Sequence, residues 1–589
     1  MFKKFLDQCR DGLSKTTDTI KRGFENSREV ISKAFNNTPS ATEESPEVES
    51  PQPAPQDHQE NIDKTPRQYK SHPSEHYMDL KIRFRDIGRL SAISETIGRD
   101  YLTAMPEGAA KRRLGQIAYL YRRLHEDLIC GDVAEDIEKA KEHRQENPKS
   151  WDEWDSANLD QMSRIYIHKR HIPADLEEDR ARLSYNGRRV HRECLANNDW
   201  KTARSFLKDV TDMHIRLAEA RARGTNTNSA YQALMSEYIP GNNAIMIDEW
   251  FGELEKGLTG LLPKVMEKQK TEPEPIPLQG PYPAESQMWL NKCLLKVIGF
   301  DFDRGGLYET GHNPVEGGTP EDTRLVIKNV DVSNFLDSMK SALHEGGHGI
   351  YIQGLPRDTW RYQPVAQDVG AAVHESQALL IEMMIGRTQA FFSYISPRLE
   401  GLYHRLHDKA LSPENLYLLR TRVGPTADRK KADEITYFFH ILLRYRLESR
   451  LIDGDLDVDD IPDYWNAELQ DLLGVLPSDN TDGCLQDVHW FVGKFGYFPS
   501  YTLGHMMAAQ LFQKLQVIFP DLRQKISNGD LLEVTQWLKT NIYQKGRTIP
   551  DDKLFREITG KPLGTGDLLK HLENRYLHTV VKSNNKNTE

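Results

Sequence analysis

Apolar residues recur at spacings of three and four along most of the chain, as at Leu114, Ile117, Ala118, Tyr121, Leu124 and Leu128. That period puts them on one face of a helix, so residues 76–589 read as one largely helical domain. Strand-like runs are few: Leu307 to Tyr308 and Thr323 to Val330, with Gly305, Gly306, Gly317 and Gly318 supplying turns. The pattern predicts a mainly α fold with a small β-sheet element. A unit of this length exceeds what one core usually fills, so two lobes with a groove between them are expected.

A different pattern occupies the first 35 residues. Phe2, Leu13, Phe24 and Phe35 recur every 11 residues, with Cys9, Ile20 and Ile31 in register, and this period forms a narrow stripe on a straight helix. Eight basic residues face five acidic ones there, a local charge of +3. Residues 1–35 are therefore expected to form an amphipathic helix, either a peripheral contact to an anionic membrane or partner, or an appendage without a specific role. Residues 36–75 carry Pro39, Pro46, Pro51, Pro53, Pro55, Pro66 and Pro73 among polar residues and read as a disordered linker. No apolar run follows Lys3 and Lys4 as a secretory signal would require.

Composition narrows the class. The formal charge of −11 argues against nucleic acid as the main partner. No apolar stretch approaches the ~18 residues of a spanning helix. The five cysteines, Cys9, Cys130, Cys194, Cys293 and Cys484, are scattered, which excludes a cysteine zinc site and favours a reducing, cytoplasmic location.

The sharpest chemistry is His344-Glu345-Gly346-Gly347-His348, within a helix predicted from about Ser333 to Gln353. Spacing of four puts both imidazoles on one face, where they can hold one Zn2+ with Glu345 beside the metal's water. Gly346, Gly347 and Gly349 each lower helix propensity by about 1 kcal/mol relative to Ala, so their clustering implies close approach of another backbone or a substrate. A third ligand is required. Glu375, on a helix predicted from about Gln367 to Ile385, can return to the metal after a Pro-bounded turn at Leu355 to Pro364. Glu382 lies on the same face and can orient a ligand, or else is a solvated carboxylate; His374 is expected to pack rather than ligate.

The runs Ser341-Ala342-Leu343-His344-Glu345, His374-Glu375-Ser376-Gln377-Ala378-Leu379-Leu380, Arg429 to Tyr437, the GxxQDxHW pattern from Gly483 to Trp490 and Gly496-Tyr497-Phe498-Pro499-Ser500-Tyr501 resemble the carboxypeptidase Taq (thermostable metallocarboxypeptidase) family. The resemblance spans roughly Lys81 to Asn574. It implies a saddle-like helical fold with a deep groove, related to neurolysin and angiotensin-converting enzyme, and usually a homodimer. It implies a zinc enzyme, sometimes using cobalt, that removes single residues from the free C-terminus of peptides.

On that resemblance His344, His348 and Glu375 hold the metal, Glu345 is the general base, and His489 and Tyr501 stabilise the oxyanion. Arg324 and Arg429 are the candidates for reading the substrate carboxylate, with Tyr497 and His312 also at the substrate. The chain departs from the family pattern at Asn313, Val326 and Asp428, all in the substrate region, so specificity is expected to shift more readily than hydrolysis. The competing readings are an endo-oligopeptidase or dipeptidyl carboxypeptidase on the same scaffold, or a non-catalytic scaffold recruited through residues 2–35.

Overall fold

The computed structural model describes residues 71–578, apart from Asn226, Asn228, Asn242, Asn243, 311–317 and Asn329. Expectations for residues 1–35, for most of the linker, and for His312 and Asn313 therefore lie outside the described residues.

The first described helix, α1 (Glu75–Thr103), begins where Ser74 accepts a hydrogen bond from the Tyr77 amide, a serine N-cap. Its inner face carries Tyr77, Leu80 and Phe84 at spacings of three and four. With α2 (Ala110–Ile129), α3 (Gly131–Glu146) and α4 (Glu153–Lys169) it encloses a small apolar core that includes Leu128, Val133, Ile137, Leu159 and Met162. Helices at Ala174–Asn197, Trp200–Thr225 and Ala244–Gln269 follow, the first two packed on each other.

A second, much larger core is built around the middle and C-terminal helices, so the apolar interior is divided in two. A buried polar seam helps join the parts. Asn158 of α4 donates to Gln363 Oε1 at 2.9 Å, and Gln363 donates to the Lys81 carbonyl at 2.8 Å. This seam fixes the loop that leads into the Glu375 helix.

The β element is a three-stranded sheet in the order β1, β3, β2. β1 (Gly305–Thr310) runs parallel to β3 (Asp322–Lys328), Leu307 opposite Leu325, while β2 (Gly318–Thr319) is antiparallel to β3. Leu325 and Ile327 are fully buried and form the seat for the HExxH helix.

The elements that carry the site follow α5 (Ala284–Val297): α6 (Phe335–Gly354), α7 (Ala371–Leu379), α8 (Pro413–Thr421), α9 (Thr436–Asp453) and α10 (Pro499–Ile518). Asn334 caps α6 by accepting from the Leu336 amide. A single α-helix was expected through Ile385, but α7 passes into a π-helical segment, Leu380–Ile385. Such segments change which side chains share a face and are frequent at functional sites. Among the described residues no helix is long and apolar enough to cross a membrane.

Candidate metal centre and active site

His344 and His348 stand one turn apart on α6, their rings 4.9 Å apart and nearly perpendicular. Glu375 of α7 meets both: Oε1 is 3.9 Å from His344 Nε2 and Oε2 is 3.7 Å from His348 Nε2. One donor atom from each of the three lies within 4.8 Å of the others. Two imidazoles and a carboxylate so placed fit a divalent cation that accepts N and O donors and leaves a position open.

The glycines of the motif make this meeting sterically feasible. A Cβ on Gly347 would stand 2.6 Å from both Ala378 Cα and Gln377 O of α7. Gly346 is against Leu295 and Ile298, at the end of α5, and Gly349 against Phe300 and Leu325. Behind Glu375, Gly504 of α10 leaves room for the glutamate, since a Cβ there would be 2.8 Å from its Cγ. Alanine would add about 1 kcal/mol of helix propensity at Gly347, but the atoms it meets are backbone and cannot rotate away. Gly347→Ala is therefore expected to push α6 and α7 apart, with a net loss of roughly 1–3 kcal/mol and reduced metal per chain. Denaturant melts with metal analysis would check this; unchanged metal stoichiometry would show that the close approach is not needed.

Outer contacts fix the ligands. Glu382, on the π segment, lies with Oε2 at 3.2 Å from His344 Nδ1, the orienting role foreseen for it, and Arg387 Nη2 donates to its other oxygen at 3.0 Å. A carboxylate on the far ring nitrogen fixes the ligand's tautomer and orientation. His374 packs edge-on against His348 with ring centres 4.5 Å apart, and its Nδ1 is 3.3 Å from Asp368 Oδ2. It therefore packs behind a ligand, as expected.

The site is electrically prepared for a cation. Burial works to lower His344, yet Glu375, Glu382 and Glu345 together push it up to about 10. His348 goes the other way, held well below its ordinary value by burial and by His374 and His344 beside it. Glu345 is only 4% exposed and lies on α6 next to His344.

His489 and Tyr501 lie together, Nε2 to hydroxyl 3.1 Å, and Tyr497 stacks on the same imidazole at 6.0 Å between ring centres. Burial, aided by neighbouring cations and opposed by Asp487, holds His489 well below its usual value, so it is neutral near pH 7. Burial with Tyr497 and Tyr437 keeps the Tyr501 phenol well above its usual value, so it remains an O–H donor. The Glu375 charge acts on both Tyr501 and Tyr437, which ties this aromatic group to the metal donors.

The two proposed carboxylate readers are already engaged. Arg429 donates Nε and Nη2 to Asp487 Oδ1 at 3.0 and 2.7 Å and Nη1 to the Tyr437 hydroxyl at 2.9 Å. Arg324 stands on β3 with its side chain 45% exposed, paired through Nε and Nη2 to Asp322. None of its contacts reaches the metal donors. Val326 is buried in β3, and Asp428 caps the short turn Arg429–Lys431 by accepting from the Lys430 amide. Arg444, fully buried in α9 and bonded to Asp487 Oδ2 at 2.6 Å, was missed from sequence. Its signal was an arginine directly after the apolar run Ile441-Leu442-Leu443.

Three comparisons agree with this geometry. Residues 79–576 match the family model described as carboxypeptidase Taq (M32) metallopeptidase. Thermostable carboxypeptidase 1 of Thermus thermophilus is 32% identical over 512 residues, 86% of this chain and 99% of that protein. Carboxypeptidase 1 of Bacillus subtilis is 31% identical over 346 residues, 59% of this chain and 68% of its own length. The structure of Trypanosoma cruzi metallocarboxypeptidase 1 superposes with a TM-score of 0.80 at 31% identity, covering 86% of this chain and all of that one.

Proposed function

The chain belongs to the carboxypeptidase Taq (M32) metallopeptidase family and is a metallocarboxypeptidase; we propose that it uses zinc, with Glu345 as general base, to release single amino acids from the free C-terminus of peptides. The observation that carries this is the His344, His348 and Glu375 donor set with Glu345 beside it on the same buried helix. His344, His348 and Glu375 would hold the ion, and cobalt satisfies the same donors. Bound there, the ion supplies Lewis acidity and brings the pKa of water toward neutrality.

The protein's own groups supply the rest. Glu345 takes the proton of the attacking water and returns it to the departing amine, as a positioned carboxylate does in general acid–base catalysis. Charge that builds on the former carbonyl oxygen meets the Tyr501 hydroxyl and the His489 ring, donors fixed before the reaction begins. Asp487 and Arg429 hold that pair from behind. The α6 and α7 backbones, locked at Gly347, keep the base and the donors in one geometry. The family resemblance further supports a homodimer, and the free cysteines Cys130, Cys194, Cys293 and Cys484 accord with a cytoplasmic setting.

A mass-spectrometric time course on one peptide, with a free or an amidated C-terminus, tests the activity. A ladder of single-residue losses from the free form alone is the expected outcome. Release of dipeptides, or cleavage of the amide, would replace this reading by the dipeptidyl carboxypeptidase or endo-oligopeptidase alternative.

A further inference from the structure

Along α6 every residue is buried except Asp337, Lys340, Ser341 and His344. At spacings of three and four these form a single stripe that leads to the metal donors. Lys340 stands one turn before His344, and among the described residues it has no hydrogen-bond or ion-pair partner.

Two arginines converge on the same place from other elements. Arg387, 4% exposed, gives Nη2 to Glu382 while its Nε is buried without a hydrogen-bond partner. Among the described residues Arg420 of α8 has one ion-pair contact, to the exposed Asp337, with Nη1 3.9 Å from Oδ1. The carboxylates nearby are largely committed: Glu382 is shared with His344, and Glu434 is held by Arg575 at 2.7 Å, His571 at 3.2 Å and Tyr576 at 3.0 Å. Burial brings Lys340 down to about 8, with Arg420 and Arg387 adding to it against Glu382, and it brings Arg420 down to about 10 with help from Arg387. A surplus of partly buried positive charge is costly until an anion joins it.

We propose that Lys340 and Arg420, with the unpartnered edge of Arg387, form the subsite that takes a carboxylate of the peptide's terminal residue. This rests on the carboxypeptidase reading above. The span fits: consecutive Cα atoms of a substrate are about 3.8 Å apart and one helical turn rises about 5.4 Å, so a single residue reaches from the metal donors to Lys340 with a hydrogen bond to close the gap. The carboxylate is either the terminal α-carboxylate or an acidic side chain on that residue.

The test is calorimetric binding to zinc-loaded Glu345→Gln, where turnover is not needed, of peptides ending in Ala, Ala-amide, Glu and Gln. Adding Lys340→Gln or Arg420→Gln is expected to weaken every free-acid peptide roughly tenfold, the scale of a charge-assisted hydrogen bond, and to leave the amide unchanged. Weakening confined to the Glu-terminated peptide would assign the subsite to the side-chain carboxylate. Equal affinities with and without Lys340 and Arg420 would overturn the proposal, while failure of wild type to release residues would count against the activity instead. Lys340 also attracts the Glu382 carboxylate that orients His344, so a loss of affinity shared equally by the amide peptide would mark a general disturbance of that pair and overturn the proposal.

Discussion

Glu345→Gln is expected to lower kcat on a free-terminus peptide by roughly 10²–10⁴-fold, the usual worth of a positioned general base, while metal content stays at the wild-type value. Glutamine keeps the volume and can still take part in hydrogen bonds, but it cannot accept the proton of the attacking water. Since the donor atoms of His344, His348 and Glu375 are untouched, occupancy should not change. The fold should also hold, because glutamine fills the same volume at this buried position. Glu375→Gln is the contrasting control: it removes a donor and should lose both metal and the stability that metal binding adds to the native state. Steady-state kinetics beside metal analysis separates the two. A Glu345→Gln enzyme within tenfold of wild type would show that the proton goes elsewhere.

Why these residues were legible in the sequence, and others were not, follows from the range over which each interaction acts. His344 and His348 are four residues apart on one helix, so their convergence is a property of the helical period alone. Glu375 needed one further step, two helices joined by a Pro-bounded turn, and the structure supplies it through the bare faces of Gly347 and Gly504. The clustered glycines imply close approach of another backbone or a substrate; Gly347 meets the α7 backbone, whereas Gly346 and Gly349 make room for the side chains of Leu295, Ile298, Phe300 and Leu325. The strands were legible from the β-branched and apolar run ending at Val330 and the glycines before it. The π segment was not, because nothing in Leu380–Ile385 breaks an α-helical pattern. What selects it is tertiary: Glu382 has to meet both His344 and Arg387.

The roles of arginines were least legible. Arg324 and Arg429 were chosen by motif, yet a motif does not say which carboxylate an arginine will meet. The structure pairs Arg324 with Asp322 two residues away and Arg429 with Asp487, and it leaves Arg387 Nε without a hydrogen-bond partner. The Arg429 pairing joins side chains 58 residues apart in the chain, and sequence spacing carries no record of it.

Asp487 sets the largest effect expected on stability. It is 1% exposed and lies between two guanidinium groups, Arg429 at 2.7 Å and Arg444 at 2.6 Å, with His489 Nδ1 at 3.7 Å. Removing it leaves both arginines inside the protein without their counter-charge, so Asp487→Ala should cost about 3–5 kcal/mol, the scale of breaking a buried ion pair from one side. Activity should fall with it, since the same carboxylate holds the Arg429 and His489 neighbourhood of Tyr501. Burial would raise the Asp487 carboxyl, but Arg429 first, then Arg444 and His489, hold it well below the usual carboxylate range. A depressed folded-state pKa means the stabilisation is complete above the unfolded value of about 3.9 and is lost only as pH falls through the lower folded value. Wild type should therefore keep this contribution at pH 5 and lose it on further acidification, whereas Asp487→Asn, which keeps the shape without the charge, should lack it at both pH 7 and pH 5. Denaturant melts at the two pH values measure this directly. A loss below about 1 kcal/mol for Asp487→Ala, the range of exposed pairs, would mean that the two arginines find other partners and that the network does not depend on this carboxylate.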